Sequence, residues 1–149
     1  AKNIVEFGTS FGISTIYLAA AVRDNGGGTV IGTEIVPEKV IQAKLNIAEA
    51  GLENYVDIRE GDARETLQNL NQQVDMLLID GWADLALDIL KLVEPSIRKG
   101  GIVISDNVGT FKEDLSSYVE YLQNPQNGYC STTLNLKGGT EFAVKIDVS

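Results

Sequence analysis

Acidic residues stand at or just beyond the ends of successive apolar runs in this chain: Glu6, Glu34, Asp62, Asp80 and Asp106. Carboxylates so placed accept hydrogen bonds from hydroxyls and amines, or supply hard oxygen ligands to a cation. Like charges gathered on one rim cost stability unless a ligand or cation offsets them. The densest stretch is Val5-Glu6-Phe7-Gly8-Thr9-Ser10-Phe11-Gly12-Ile13-Ser14. Two glycines at the turn let backbone approach a ligand where a Cβ would intrude. A helix starting there offers unpaired N–H groups and the positive end of its dipole. Glu6, at the mouth of that crevice, would accept hydrogen bonds from a cationic or hydroxyl-bearing ligand. Plainer readings stand beside each of these: a packing turn at the glycines, a solvated strand end at Glu34, a helix cap at Asp62, a turn at Asp106-Asn107.

The elements that must position these groups alternate strand and helix. A buried strand over 4–7 gives way to helical spacing at Ile13, Ile16, Tyr17 and Ala20, stopped by Gly26-Gly27-Gly28. A second strand spans 29–35, and Pro37 opens a helix carrying Val40, Ala43, Ile47 and Ala50 on one face. A third strand covers 56–60. Asp62-Ala63-Arg64-Glu65 resembles a capping box for a short helix to about Leu70. The apolar run 74–79 suits a central parallel strand. A helix with Ala86, Ile89, Leu90, Val93 and Ile97 ends at Gly100-Gly101, before a fifth strand over 102–105. Thr110-Phe111-Lys112-Glu113 reads as the cap of a helix burying Leu115, Tyr118, Val119 and Leu122. Strands over 129–136 and 141–148 flank the hairpin signal Lys137-Gly138-Gly139. Five βα units and a hairpin predict an α/β, doubly wound, mostly parallel sheet with an antiparallel C-terminal strand. In such sheets ligands bind outside the carboxyl ends of the strands, where these acids fall. Glu34 lies 22 residues beyond Gly12, close to the spacing at which an acid reaches ribose hydroxyls in dinucleotide folds.

Composition narrows the classes. The 149 residues suit one domain, and a net charge of −9 with no basic segment argues against nucleic acid. No apolar stretch approaches a membrane span, so no membrane partner is expected. Without histidine, Ser-His-Asp catalysis and the usual zinc sites are excluded. The single cysteine, Cys130, reads as core or edge of a strand and fits a reducing compartment, the cytoplasm. The sequence opens almost directly on its first strand without an initiator Met, which fits an upstream segment lying outside this numbering.

Taken together, these segments resemble the class I S-adenosylmethionine-dependent methyltransferases, and most of all the catechol O-methyltransferases and related metal-dependent O-methyltransferases. The resemblance covers essentially all of 1–149. The stretch 6–14 is similar to the family's first motif, Thr33-Glu34-Ile35 to the segment whose acid takes the cofactor ribose, and Gly61-Asp62-Ala63 to the loop beside the adenine. The run from Asp75 to Trp82 resembles the fourth strand, ending in a metal-binding Asp, and Ser105-Asp106-Asn107-Val108 resembles the Asp-Asn pair that completes the metal ligands.

The resemblance implies a seven-stranded Rossmann-like sheet and a cofactor site of Glu6, Gly8, Thr9, Ser10, Gly12, Ser14, Glu34, Ile35, Asp62, Ala63 and Asp80. It implies Mg²⁺ or Ca²⁺ on Asp80, Asp106 and Asn107, with Asp80 also in the catalytic role, and a small-molecule hydroxyl acceptor of the catechol or phenolic kind. Three oxygen ligands suit a hard cation. Homo-oligomerisation is left open. Two positions depart from the family: Gly81 stands where the catechol enzymes carry His, and Ala83 where they carry a lysine proposed as general base. The family's N-terminal lid helices have no counterpart here. Trp82 reads equally as a substrate-side wall and as packing, and the loop 124–128 as a surface turn or a border of the acceptor pocket. Three readings therefore stand: a metal-assisted O-methyltransferase, a methyltransferase of another acceptor, and a non-catalytic S-adenosylmethionine-binding domain.

Overall fold

The computed structural model describes residues 1–146. Seven strands form one sheet in the order β3-β2-β1-β4-β5-β7-β6. They are β1 (Asn3–Phe7), β2 (Thr29–Glu34), β3 (Val56–Glu60), β4 (Val74–Ile79), β5 (Ile97–Ser105), β6 (Tyr129–Leu134) and β7 (Thr140–Lys145). The first five run parallel, while β7 pairs antiparallel with both β5 and β6. The helices are α1 (Ile13–Asp24), α2 (Pro37–Glu49), α3 (Ala63–Thr66), α4 (Ala86–Val93) and α5 (Lys112–Gln123). The expected α/β, doubly wound sheet is present, with its order reversing between β1 and β4. Among the described residues no helix is long and apolar enough to cross a membrane.

Two apolar layers cover the sheet. One packs α4 and α5 through Ile89, Leu90, Val93, Leu115 and Leu122. The other packs α1 and α2 through Ala19, Val22, Val40 and Ile47. Burying each valine, leucine or isoleucine among them contributes about 1.5–3 kcal/mol. Val5 and Leu77, in the central strands β1 and β4, are fully buried, as parallel strands covered on both faces require.

Several local expectations are corrected. Ile13 and Tyr17 are 70% and 76% exposed, and the buried face of α1 is Thr15, Ala19 and Val22. Ala19 and Val22 pack into the core, and Thr15 on the same face gives its hydroxyl to the buried Glu6 carboxylate. On α2, Val40, Ala43 and Ile47 are buried as expected, but Ala50 is the exposed C-cap. Helix α3 stops at Thr66, well short of Leu70. Helix α4 ends at Val93 because Pro95 cannot continue it, so Ile97 opens β5 instead of closing the helix. Phe111, not Thr110, is the N-cap of α5, and no side chain caps it. The hairpin strands end at Leu134 and Lys145, earlier than expected. The end of the second expected strand, 147–148, lies outside the described residues. Cys130 is exposed on the edge strand β6.

Candidate functional site

Register alone brings the rim together. Phe7 is level with Thr33 on one side and Ile79 on the other, and Ile79 is level with Ser105. The residues that follow, Gly8, Glu34, Asp80 and Asp106, therefore leave the sheet along one line at its carboxyl edge. The loop of Gly61 and Asp62 continues the row beyond β3, with the N–H of Gly61 bonded to the Glu34 carbonyl.

Three cavities open along this line, and Asp80 is the residue common to all of them. The first, of about 300 Å³, lies between the tips of β1, β2 and β3, lined by Gly8, Ser10, Glu34, Ile35, Asp62 and Ala63 on one side and Asp80 and Trp82 on the other. The second, of about 240 Å³, sits on the glycine turn against Gly8, Thr9, Ser10, Ser14 and Asp80. The third, of about 260 Å³, lies beyond β4 and β5 against Asp80, Gly81, Ala83, Asp106, Asn107 and Phe111.

The turn is built by conformations few residues adopt. Gly8 has φ +97°, and a Cβ there would fall 2.6 Å from the Asp80 carbonyl oxygen. Gly12, at φ 85°, is the N-cap of α1 and does not itself line a cavity. Ser10 also takes positive φ, at 50°, and its N–H donates to Glu34 Oε2 at 2.9 Å. The other oxygen, Oε1, accepts from the Val36 N–H at 3.0 Å. Each carboxylate oxygen keeps a lone pair for a further donor.

Glu6 lies beneath the turn and lines none of the three cavities. Its carboxylate accepts from the hydroxyls of Thr9 (3.0 Å), Ser14 and Thr15. Burial pushes its pKa up, and the three hydroxyls pull it back. Asp62 caps α3 by accepting from the Arg64 N–H at 2.8 Å and pairs with the Arg64 guanidinium at 2.6 Å. Both the cap expected there and its place beside the first cavity are present.

The far side of the rim has a different character. Burial raises the pKa of Asp80, and the charge of Asp106 raises it further. Asp106 accepts from the Asn107 backbone N–H at 2.9 Å and, at 3.4 Å each, from the Asn107 amide and the Thr140 hydroxyl. Asn107 stands at φ 59°. Among the described residues no three His, Cys, Asp or Glu side chains are grouped to hold a metal. The set here, two carboxylates and an amide on one cavity, is doubly negative and can offer oxygen from each side chain, which fits a hard divalent cation.

A family model described as a methyltransferase domain matches residues 5–108, from β1 through the Asp106-Asn107 loop. The chain belongs to this methyltransferase family. Over 112 residues the domain is 36% identical to the catechol O-methyltransferase of Niastella koreensis, covering 72% of this chain and 50% of that protein. Over 133 residues it is 29% identical to catechol O-methyltransferase B of Danio rerio, covering 85% and 49%. The chain thus spans about half the length of these curated relatives. An O-methyltransferase from Bacillus cereus, solved in complex with SAH, superposes with a TM-score of 0.88 at 26% identity, covering 97% of this chain and 74% of that one.

Within the methyltransferase domain, further residues enter the site that the sequence reading passed over. Lys39 and Arg64 line the first cavity, and the Lys39 ammonium lies 5.6 Å from the centre of the Phe11 ring. Thr15 holds Glu6 from below; the paired hydroxyls of Ser14 and Thr15, following a buried acid, were the available signal. Trp82 is 69% exposed, so it is not core packing, and it lines the first cavity, not the third. The 124–128 loop leads into β6 where Tyr129 pairs with Lys145, at the opposite end of the sheet from the rim.

Proposed function

We propose that this domain moves the methyl group of S-adenosylmethionine onto a hydroxyl of a small molecule, catechol-like or otherwise phenolic, with Mg²⁺ or Ca²⁺ at Asp80, Asp106 and Asn107. The convergence of three cavities on Asp80 carries the reading. A ligand spanning the first two would lay adenine beside Asp62 and Ala63, ribose on the free lone pairs of Glu34 beside Ile35, and the methionine part on the turn from Gly8 to Ser14. Its sulfonium would then face Asp80, with the acceptor in the third cavity. Glu6 keeps the turn in shape from below, by holding Thr9 and Ser14. The cation, when bound, would lower the acceptor hydroxyl's pKa and fix its orientation. Positioning supplies most of the rest, since methyl transfer needs little proton chemistry once the acceptor is ionised.

The test is methyl transfer to a panel of vicinal aromatic diols, with and without chelator. Chelator and Asp106→Ala should each lower turnover by roughly 100-fold or more; full activity in chelator contradicts the metal-assisted reading. Two observations favour a second reading, a metal-free methyltransferase of another acceptor or a non-catalytic binding domain. Ala83 offers no base to the third cavity, and the Asn107 amide turns its nitrogen, not its oxygen, toward Asp106. Chelator-resistant methylation would support the first of these. Calorimetric binding of S-adenosylhomocysteine with no acceptor methylated would support the other.

A further inference from the structure

The Asp106-Asn107 loop does not stand alone at the rim. Its successive backbone donors end on the β6–β7 turn: Val108 N–H on the Gly139 carbonyl at 3.1 Å, then Gly109 and Thr110 N–H on the Gly138 carbonyl at 2.9 and 3.2 Å. The Thr140 hydroxyl adds its contact to Asp106. These bonds hold Asn107 in a left-handed conformation, at φ 59°. Gly138 has φ +84°, and a Cβ on it would lie 2.7 Å from Asn107 Oδ1 and 3.3 Å from Thr110 Oγ1. The missing side chain is therefore clearance for the Asn107 amide. As it stands, that amide directs Nδ2 at Asp106 and Oδ1 at Gly138. A half-turn about its Cβ–Cγ bond leaves its outline unchanged and exchanges the two atoms.

We infer that the β6–β7 turn is a positioning element for the cation site, and that Gly138 is the clearance in which the Asn107 amide turns its oxygen to a divalent cation. This rests on the metal-assisted reading. Filling the space with a Cβ displaces the amide and weakens the cation, while the adenosyl side of the rim, formed by other loops, is untouched.

A double-mutant cycle reads this directly, with Mn²⁺ affinity from water-proton relaxation and S-adenosylhomocysteine affinity from calorimetry. Gly138→Ala should weaken Mn²⁺ about tenfold and change the nucleoside affinity less than twofold. In an Asn107→Ala background, where there is no amide to displace, Gly138→Ala should weaken Mn²⁺ no further. Thr140→Val, which leaves the turn's backbone alone, should weaken Mn²⁺ about threefold and serves if Gly138→Ala does not fold. Unchanged Mn²⁺ affinity in Gly138→Ala overturns the inference, as does an equal loss of both ligands or an undiminished effect in the Asn107→Ala background. A wild-type domain that binds no Mn²⁺ sinks the cation reading itself, and this role with it.

Discussion

The two halves of the rim are built on opposite principles. On the side of β1, β2 and β3, three carboxylates already have partners: Glu6 takes three hydroxyls, Glu34 two backbone N–H groups, and Asp62 the N–H and guanidinium of Arg64. On the side of β4 and β5, the Asp80 carboxylate has no donor among the described residues and Asp106, on the same cavity, raises its cost; Asp106 holds the Asn107 backbone N–H at 2.9 Å and two long contacts, from the Asn107 amide and the Thr140 hydroxyl. The first half has its shape before any ligand arrives. The second carries a charge excess that a cation would neutralise. The contrast teaches that acids on one rim can do different work: where donors are preorganised the carboxylate is scaffold, and where they are missing it is a candidate ligand.

The largest effect is expected at Gly8. Gly8→Ala places a Cβ 2.6 Å from the Asp80 carbonyl at an unfavourable φ. It should cost about 2–4 kcal/mol in denaturant unfolding and lower S-adenosylhomocysteine affinity by roughly 100-fold in calorimetry. Next comes Glu6→Ala, which strands the hydroxyls of Thr9, Ser14 and Thr15 and should destabilise by about 2–3 kcal/mol. A change under about 0.5 kcal/mol would mean the scaffold account of that half is wrong.

Asp75 offers a control at the opposite end of the sheet. Burial alone would raise its pKa, but Arg98 and the backbone N–H groups of Asn3 and Lys2 hold it at about 2, below the ordinary 3.8. A depressed folded pKa stabilises above the unfolded value and is lost as pH falls through the folded one. Asp75→Asn should therefore cost about 1 kcal/mol at neutral pH, the figure reduced for screening of the partly exposed Arg98. The difference should close between pH 4 and pH 2 in urea titrations. Smallest in size, and opposite in sign, is Asp106→Asn. Removing one of two like charges should stabilise the ligand-free domain by about 0.5 kcal/mol and leave nucleoside affinity within twofold. Clear destabilisation would erase the distinction between the halves.

The sheet was legible because apolar runs at β1, β2 and β4 and the helical spacing of α2 report burial directly. The rim was legible because parallel strands end together, so an acid after each run must share an edge. Less legible was anything set by contacts distant in sequence. The face that α1 buries, Thr15, Ala19 and Val22, competes in the sequence with a second apolar spacing at Ile13 and Tyr17, and the Glu6 partner that admits a threonine to the core is distant in sequence. The role of Gly138 depends on a turn folding against Asn107 from some thirty positions away. Glu6 was legible as unusual but not as buried beneath the turn, since nothing local counts its donors.

The central claim is that Asp80 and Asp106 together hold one divalent cation beside the nucleoside. Calorimetric titration of Mg²⁺ into the wild-type domain and Asp106→Ala, both saturated with S-adenosylhomocysteine, tests it most directly. The account predicts a saturable site in the wild type, weakened by about 50-fold or more in the variant. Identical isotherms, or no site in the wild type, would contradict it.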